Sequence, residues 1–248
     1  MNRFQKLISS KVTTAVLFVL AAALLLFSGF GGARAALTYY SETYTSEVQM
    51  YDIGVSLVEN GKIVSYRDYS GRGDGSWSTG TGELLTDLDD SFKPGVTYPE
   101  TIAVTNSGTI NEYVRVSVYT YWRDKDGNKL QTLSPDLIEL QYSDNGAWQE
   151  DTGAATKERR VFYYTSLLNS GDTTPNLTDT ITVNGMIASK VTQVQEGNTI
   201  TTTYDYDGVT FCLEAEVDAV QEHNAHDAAF SAWGKDLSIG GGSLSLGN

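Results

Sequence analysis

Three valines at every second position, Val114, Val116 and Val118, alternate with Tyr113, Arg115, Ser117 and Tyr119 in the stretch "NEYVRVSVYTYW". Side chains on a strand point to opposite faces in turn, so this period-two pattern predicts a strand with one face in a core. The pattern recurs along the chain. Ile53, Val55 and Leu57 precede Asn60-Gly61, a strong two-residue hairpin turn, and Ile63 follows it. Ile102 and Val104 run into a turn at Asn106-Ser107-Gly108. Further on, "LIELQYSDNGAW" turns at Asn145-Gly146, and "VFYYTSLL" leads through the polar "NSGDTTPNLTD" to "DTITVNG". "ITTTYDYDGVTFCLEAEV" turns at Asp207-Gly208, after which Phe211, Leu213, Ala215 and Val217 share a face. Many short strands with few helical stretches predict an all-β fold, an antiparallel β-sandwich or jelly roll.

The first 35 residues stand apart from that fold. Arg3, Lys6 and Lys11 precede an apolar run from Val12 to Phe30, and Ala33 and Ala35 then give the A-x-A spacing of a signal-peptidase site. Cleavage is expected between Ala35 and Ala36. The run of 19 residues is long enough to span a bilayer if retained, but the small-residue exit at Gly29, Gly31 and Gly32 favours removal. Removal takes away four basic residues and no acid, so a formal charge of −14 becomes −18. A chain this acidic repels nucleic acid and anionic membrane surfaces. No second apolar segment follows, so no stable membrane insertion is expected after cleavage.

A single cysteine, Cys212, excludes an internal disulfide in an exported protein, so a packed core must supply the stability. Nothing beside Cys212 in sequence lowers its pKa, and it reads as a packed strand residue. The mature chain is expected to be one domain over 36–238, with a flexible Gly/Ser-rich tail, "SIGGGSLSLGN", over 239–248.

The two histidines, His223 and His226, fall together in "EVDAVQEHNAHDAAFSAWG". A zinc peptidase motif places a glutamate between two histidines four residues apart on a helix. Here the spacing is three, and Glu222 precedes the pair. Asn224 can cap a short helix, with Asp227 three residues on and Gly234 as its stop; His226 then lies inside the helix and His223 outside it. A helix starting near Asp218 would instead align Ala219, His223, His226, Phe230 and Trp233 as a packing stripe. Neither arrangement makes a prepared zinc site.

Other short motifs have plainer explanations. Arg72-Gly73-Asp74 matches an integrin-binding tripeptide but sits in a Gly/Ser-rich excursion, residues 70–82, whose composition alone produces it. Asp124, Asp126 and Asn128 are spaced as in calcium loops, yet Gly127 is fourth and Pro135 twelfth where an EF-hand needs glycine sixth and glutamate twelfth. A hairpin turn explains them better. "DLDD" at 87–90 and "YDYD" at 204–207 are calcium candidates of the same kind. No cofactor is expected on these grounds, with zinc or calcium as the alternatives.

The leader, "ALTYYSETYTSEV" after the cleavage site, the block "NSGTINEYVRVSVYTYW" and the ending "EAEVDAVQEHNAHDAAFSAWG" resemble the TasA/camelysin family. That resemblance implies a jelly-roll domain, export with cleavage by a dedicated ER-type signal peptidase, and assembly into extracellular biofilm-matrix fibres. It also implies that the new N-terminal segment, including Ala36, Leu37, Thr38, Tyr39, Tyr40 and Tyr44, adds as a strand to a neighbouring copy. The segment suits that use, being rich in Tyr and Thr and free of Pro and Gly. The expectation is therefore a secreted jelly-roll-type antiparallel β-sandwich with one or more short helices, acting as a matrix or cell-surface structural protein. Its partners would be itself and other matrix or cell-surface proteins. Two alternatives remain: a camelysin-like metallopeptidase using Glu222, His223 and His226, and an adhesin presenting Arg72-Gly73-Asp74.

Overall fold

The structure is a computed structural model that describes residues 11–22, 52–68, 76–88, 92–196 and 199–247. The chain divides into two units, Met1–Met50 and Tyr51–Asn248. In the first, residues 11–22 form a helix, α1. Among the described residues no helix is long and apolar enough to cross a membrane. Ala33, Ala35 and the segment from Ala36 to Val48 lie outside the described residues, as do Arg72, Gly73 and Asp74.

The second unit is an antiparallel β-sandwich. Its first layer grows from the hairpin β1 (Val55–Glu59) and β2 (Lys62–Asp68). Asn60 and Gly61 take φ of 47° and 78°, the left-handed pair whose twist matches that of the strands it joins. β3 (Ser78–Thr81) adds outside β2, and β5 (Ile102–Asn106) adds on the other side of β1. β4 (Thr97–Pro99) leads into β5, and one stretch of chain runs antiparallel along both. Thr173 bridges Thr105, the Leu177 N–H donates to the Ile102 carbonyl at 2.7 Å, and β11 (Thr178–Val183) pairs with β4. β8 (Ile138–Tyr142) closes that end against β11.

The second layer is organised by β6 (Glu112–Arg123). β14 (Thr210–Gln221) pairs with it over all 12 residues, from Thr210↔Arg123 to Gln221↔Glu112. On the other side of β6 lie β10 (Arg159–Tyr164) and then β9 (Trp148–Glu150), while β7 (Lys129–Leu130) folds back on the end of β6. The β6–β7 connection is the hairpin turn expected at Asp124–Asn128. The Asp124 carboxylate accepts from the Asp126 and Asn128 N–H groups at 2.9 and 2.8 Å, and these backbone hydrogen bonds hold its pKa below the usual carboxylate value.

The core lies between the layers and is filled by the residues that the alternation points inward. Val114, Val116 and Val118 of β6 meet Leu57, Ile102, Val104, Ile181 and Leu213. Each fully buried side chain of this kind contributes about 1.5–3 kcal/mol of transfer free energy. The opposite face of β6 is also covered, which alternation does not foretell. Tyr113, Val161, Tyr163 and Val220 pack under the short helix α2 (Ala225–Trp233) and the hairpin β15 (Leu237–Gly240) and β16 (Ser243–Leu246).

Two expectations need correction. The turns at Asn145-Gly146 and Asp207-Gly208 exist, but the strands flanking each join different sheets: β8 pairs with β11, β9 with β10, and β14 with β6. The polar stretch before β11 is mostly turn and irregular chain, with one bridge from Thr173 to Thr105, and it bonds along β5. There the Thr174 and Thr178 hydroxyls accept from the N–H groups of Val104 and Ile102. Residues 239–247 of the expected flexible tail lie mostly in the β15–β16 hairpin, with Leu237 and Leu244 buried.

Candidate functional site

The two layers do not end together. β14 is the last strand of its layer and packs opposite β1, whereas β2 and β3 extend the other layer past it. Along its whole length β14 pairs only with β6 among the described residues. Its other side therefore presents a row of backbone N–H and C=O groups without a strand partner. Beside that edge lies an open groove of about 920 Å³, lined by Leu57, Leu84, Leu88, Phe92, Phe211 and Leu213 among others. A second recess of about 530 Å³ continues along β14 past Ala215 and Val217, facing β2 and β3.

The groove's apolar wall is a loop, residues 82–88, held by Glu59 and Lys62. Gly82 lets the chain cross close to β2, since a Cβ there would stand 2.4 Å from the Val64 carbonyl oxygen. Leu85 takes φ of 65°, a strained left-handed conformation for a branched side chain, and its N–H donates to Glu59 Oε1 at 2.5 Å. Lys62 pins the loop from outside by pairing with Asp87 at 2.9 Å. Phe92 stacks on Tyr98 and meets Phe211, with centroids 5.0 Å apart in both cases, so the lining continues from loop to β14.

Behind the loop, Glu59 touches a second buried carboxyl, Glu100, which is 1% exposed. Burial, then the charge of Glu59 and a hydrogen bond to it, push the Glu100 pKa up to about 8. The Asn60 side chain donates to Glu100 Oε2 at 3.5 Å, while Oε1 meets no hydrogen-bond donor. Glu112 is more isolated. It lies at 0% exposure on the core-facing side of β6, in phase with Val114, and neither oxygen has a hydrogen-bond partner. Burial pushes its pKa up to about 8. Both groups therefore hold a proton at neutral pH.

The histidine segment resolves differently. Residues 210–221 are strand, which rules out a helix starting near Asp218. Asn224 occupies the N-cap position of α2 but in a left-handed conformation with no side-chain capping bond. The Gly234 N–H donates to the Phe230 carbonyl and ends the helix as the sequence suggests. His226 lies between two acids, with Nε2 at 2.9 Å from Asp236 and Nδ1 at 3.2 Å from Asp227. These contacts, Asp236 first, raise its pKa. Glu222 accepts from the Asn111 amide at 3.0 Å, and His223 is exposed in the turn between strand and helix. Among the described residues, no group of three or more His, Cys, Asp or Glu side chains is placed to hold a metal ion.

Cys212 is half-buried on β14, and burial raises its thiol pKa. The groove, its loop and the two protonated glutamates were absent from the sequence-level candidates. Glu112 and Glu100 both carried a readable signal, a period-two phase with Val114 and with Ile102. No family model matches this chain, and no curated protein or solved structure matches it.

Proposed function

We propose that this chain is an exported structural protein of an extracellular matrix or cell surface, and that its copies join by adding a strand of one to the β14 edge of the next. The observation that carries this reading is the edge of β14, which over its 12 residues pairs only with β6 among the described residues, beside a groove with an apolar wall overhung by β2 and β3. An added strand would satisfy the free backbone groups and place alternate side chains against Leu57, Leu84 and Phe211. The leader and the resemblance to the TasA/camelysin family support export and self-assembly. They also nominate the donor, the segment beginning at Ala36, which cleavage would free.

Electron microscopy of the secreted protein tests this reading. Wild type is expected to form fibres. Deleting Ala36–Tyr44 removes the donor, and Ala215→Lys sets a charge into the groove; either change is expected to leave a folded monomer without fibres. Fibres of wild-type abundance from both variants would refute the proposal, as would a wild type that stays monomeric at high concentration.

A further inference from the structure

A second open edge lies away from the groove. β12 (Val191–Glu196) and β13 (Thr199–Tyr204) pair with each other from Val191↔Tyr204 to Glu196↔Thr199, and with no third strand among the described residues. The ribbon carries apolar side chains into solvent, with Val194 at 52% and Ile200 at 61% exposure. A lone two-stranded ribbon is marginally stable in water and gains from further strands.

Charge decides which edge two copies of this chain can share. The formal net charge is −14, so copies repel, and an edge suited to self-pairing must be locally neutral. β14 carries Glu214, Glu216 and Asp218, which antiparallel self-pairing would set against one another. β8 and β9 carry Glu139 and Glu150, and β12 ends in Glu196. β3 is neutral but only four residues long and is interrupted by Gly80. β13, "TITTTY", is six residues long with no charge, glycine or proline. It lacks the lysines, prolines and bulges that usually protect an exposed edge.

We propose that β13 pairs antiparallel with β13 of a second copy, joining two ribbons into a four-stranded sheet. The contact is isologous, since one edge serves both partners about a two-fold axis. Threonine then lies across from threonine or a neutral neighbour, with no acid brought opposite an acid. This association uses a different edge from the β14 groove and does not depend on it.

Cross-linking of the mature chain tests the proposal. Cys212→Ser removes the only native thiol, and Thr202→Cys places a new one on exposed β13. A short bis-maleimide is expected to convert most of this protein to a covalent dimer, while Thr79→Cys on β3, in the same background, stays largely monomeric. Adding Thr201→Lys and Thr203→Lys should reduce the dimer by about tenfold or more, because like charges then meet across the edge. The same cross-link is expected after deletion of Ala36–Tyr44, so loss of fibres and loss of ribbon pairing are read separately. A Thr202→Cys protein that cross-links no better than the Thr79→Cys protein would overturn the proposal. So would an undiminished dimer in the lysine variant.

Discussion

The folded protein is expected to lose stability steadily as pH rises from about 5 to about 9, with Glu112 and Glu100 as the main causes and Glu112 as the simpler case. Its pKa is 4.5 in an ordinary environment and about 8 in the fold, because both oxygens are buried without a donor. The folded state therefore keeps a proton that the unfolded chain releases. Stability from this group is fully present below about pH 4.5, falls as pH rises, and is gone above the folded pKa near 8. A shift of this size corresponds to roughly 5 kcal/mol, a large share of the about 5–15 kcal/mol that stabilises a typical domain. Glu100 adds a change of the same sign over the same window, and His226 adds one of the same sign that begins only as pH rises past its ordinary value of 6.5. Glu112→Gln has no proton to lose. It should be slightly less stable than wild type at pH 5, more stable at pH 9, and flatter between. Denaturant titrations at pH 5, 7 and 9 measure this. A wild type as stable at pH 9 as at pH 5, or a variant with the wild-type slope, would contradict it.

Removing the last 12 residues, 237–248, is expected to cost about 3–6 kcal/mol, because two leucines leave the second core. Leu237 is 1% and Leu244 2% exposed, packed with Tyr163 and Val220 under α2. The hairpin is also tied by backbone bonds. The Leu244 N–H donates to the Thr165 carbonyl, and the Leu167 N–H to that of Gly242, both at 2.8 Å. Losing them exposes the outer face of β10 and leaves α2 without one of its walls. The shift in guanidinium midpoint at constant slope measures the cost. A change under about 1 kcal/mol would mean that the hairpin is not part of the fold's stability.

That hairpin marks where sequence reasoning stops. "SIGGGSLSLGN" has the composition of a linker, and composition outweighed the alternating leucines that bury it. Strand existence and facing were legible: Phe211, Leu213, Ala215 and Val217 share the core side of β14, and Val114, Val116 and Val118 that of β6. Strand partnership was not, because a turn fixes where the chain reverses and not which sheet the next strand joins. Asn60-Gly61 closes a true hairpin, while Asn145-Gly146 carries the chain from one layer to the other. The groove follows from partnership, since it exists only because β2 and β3 outreach β14, and no local pattern records that overhang. Glu100 was within reach, two places before Ile102 on the buried phase, and so was Glu112. It stands two places before Val114 on the inward phase, where a carboxyl is a warning by itself.

Hydrogen–deuterium exchange along β14, in dilute protein and at concentrations where copies would join, tests the proposed strand-accepting edge most directly. The amides that already bond β6 should be protected in both states, since the β6–β14 ladder spans all 12 residues. The amides between them, facing the groove, should exchange quickly in the monomer and become protected when copies join. Assembly that leaves those groove-facing amides as exposed as in the monomer would show that copies meet elsewhere, and that the β14 edge is not where this protein takes its partner.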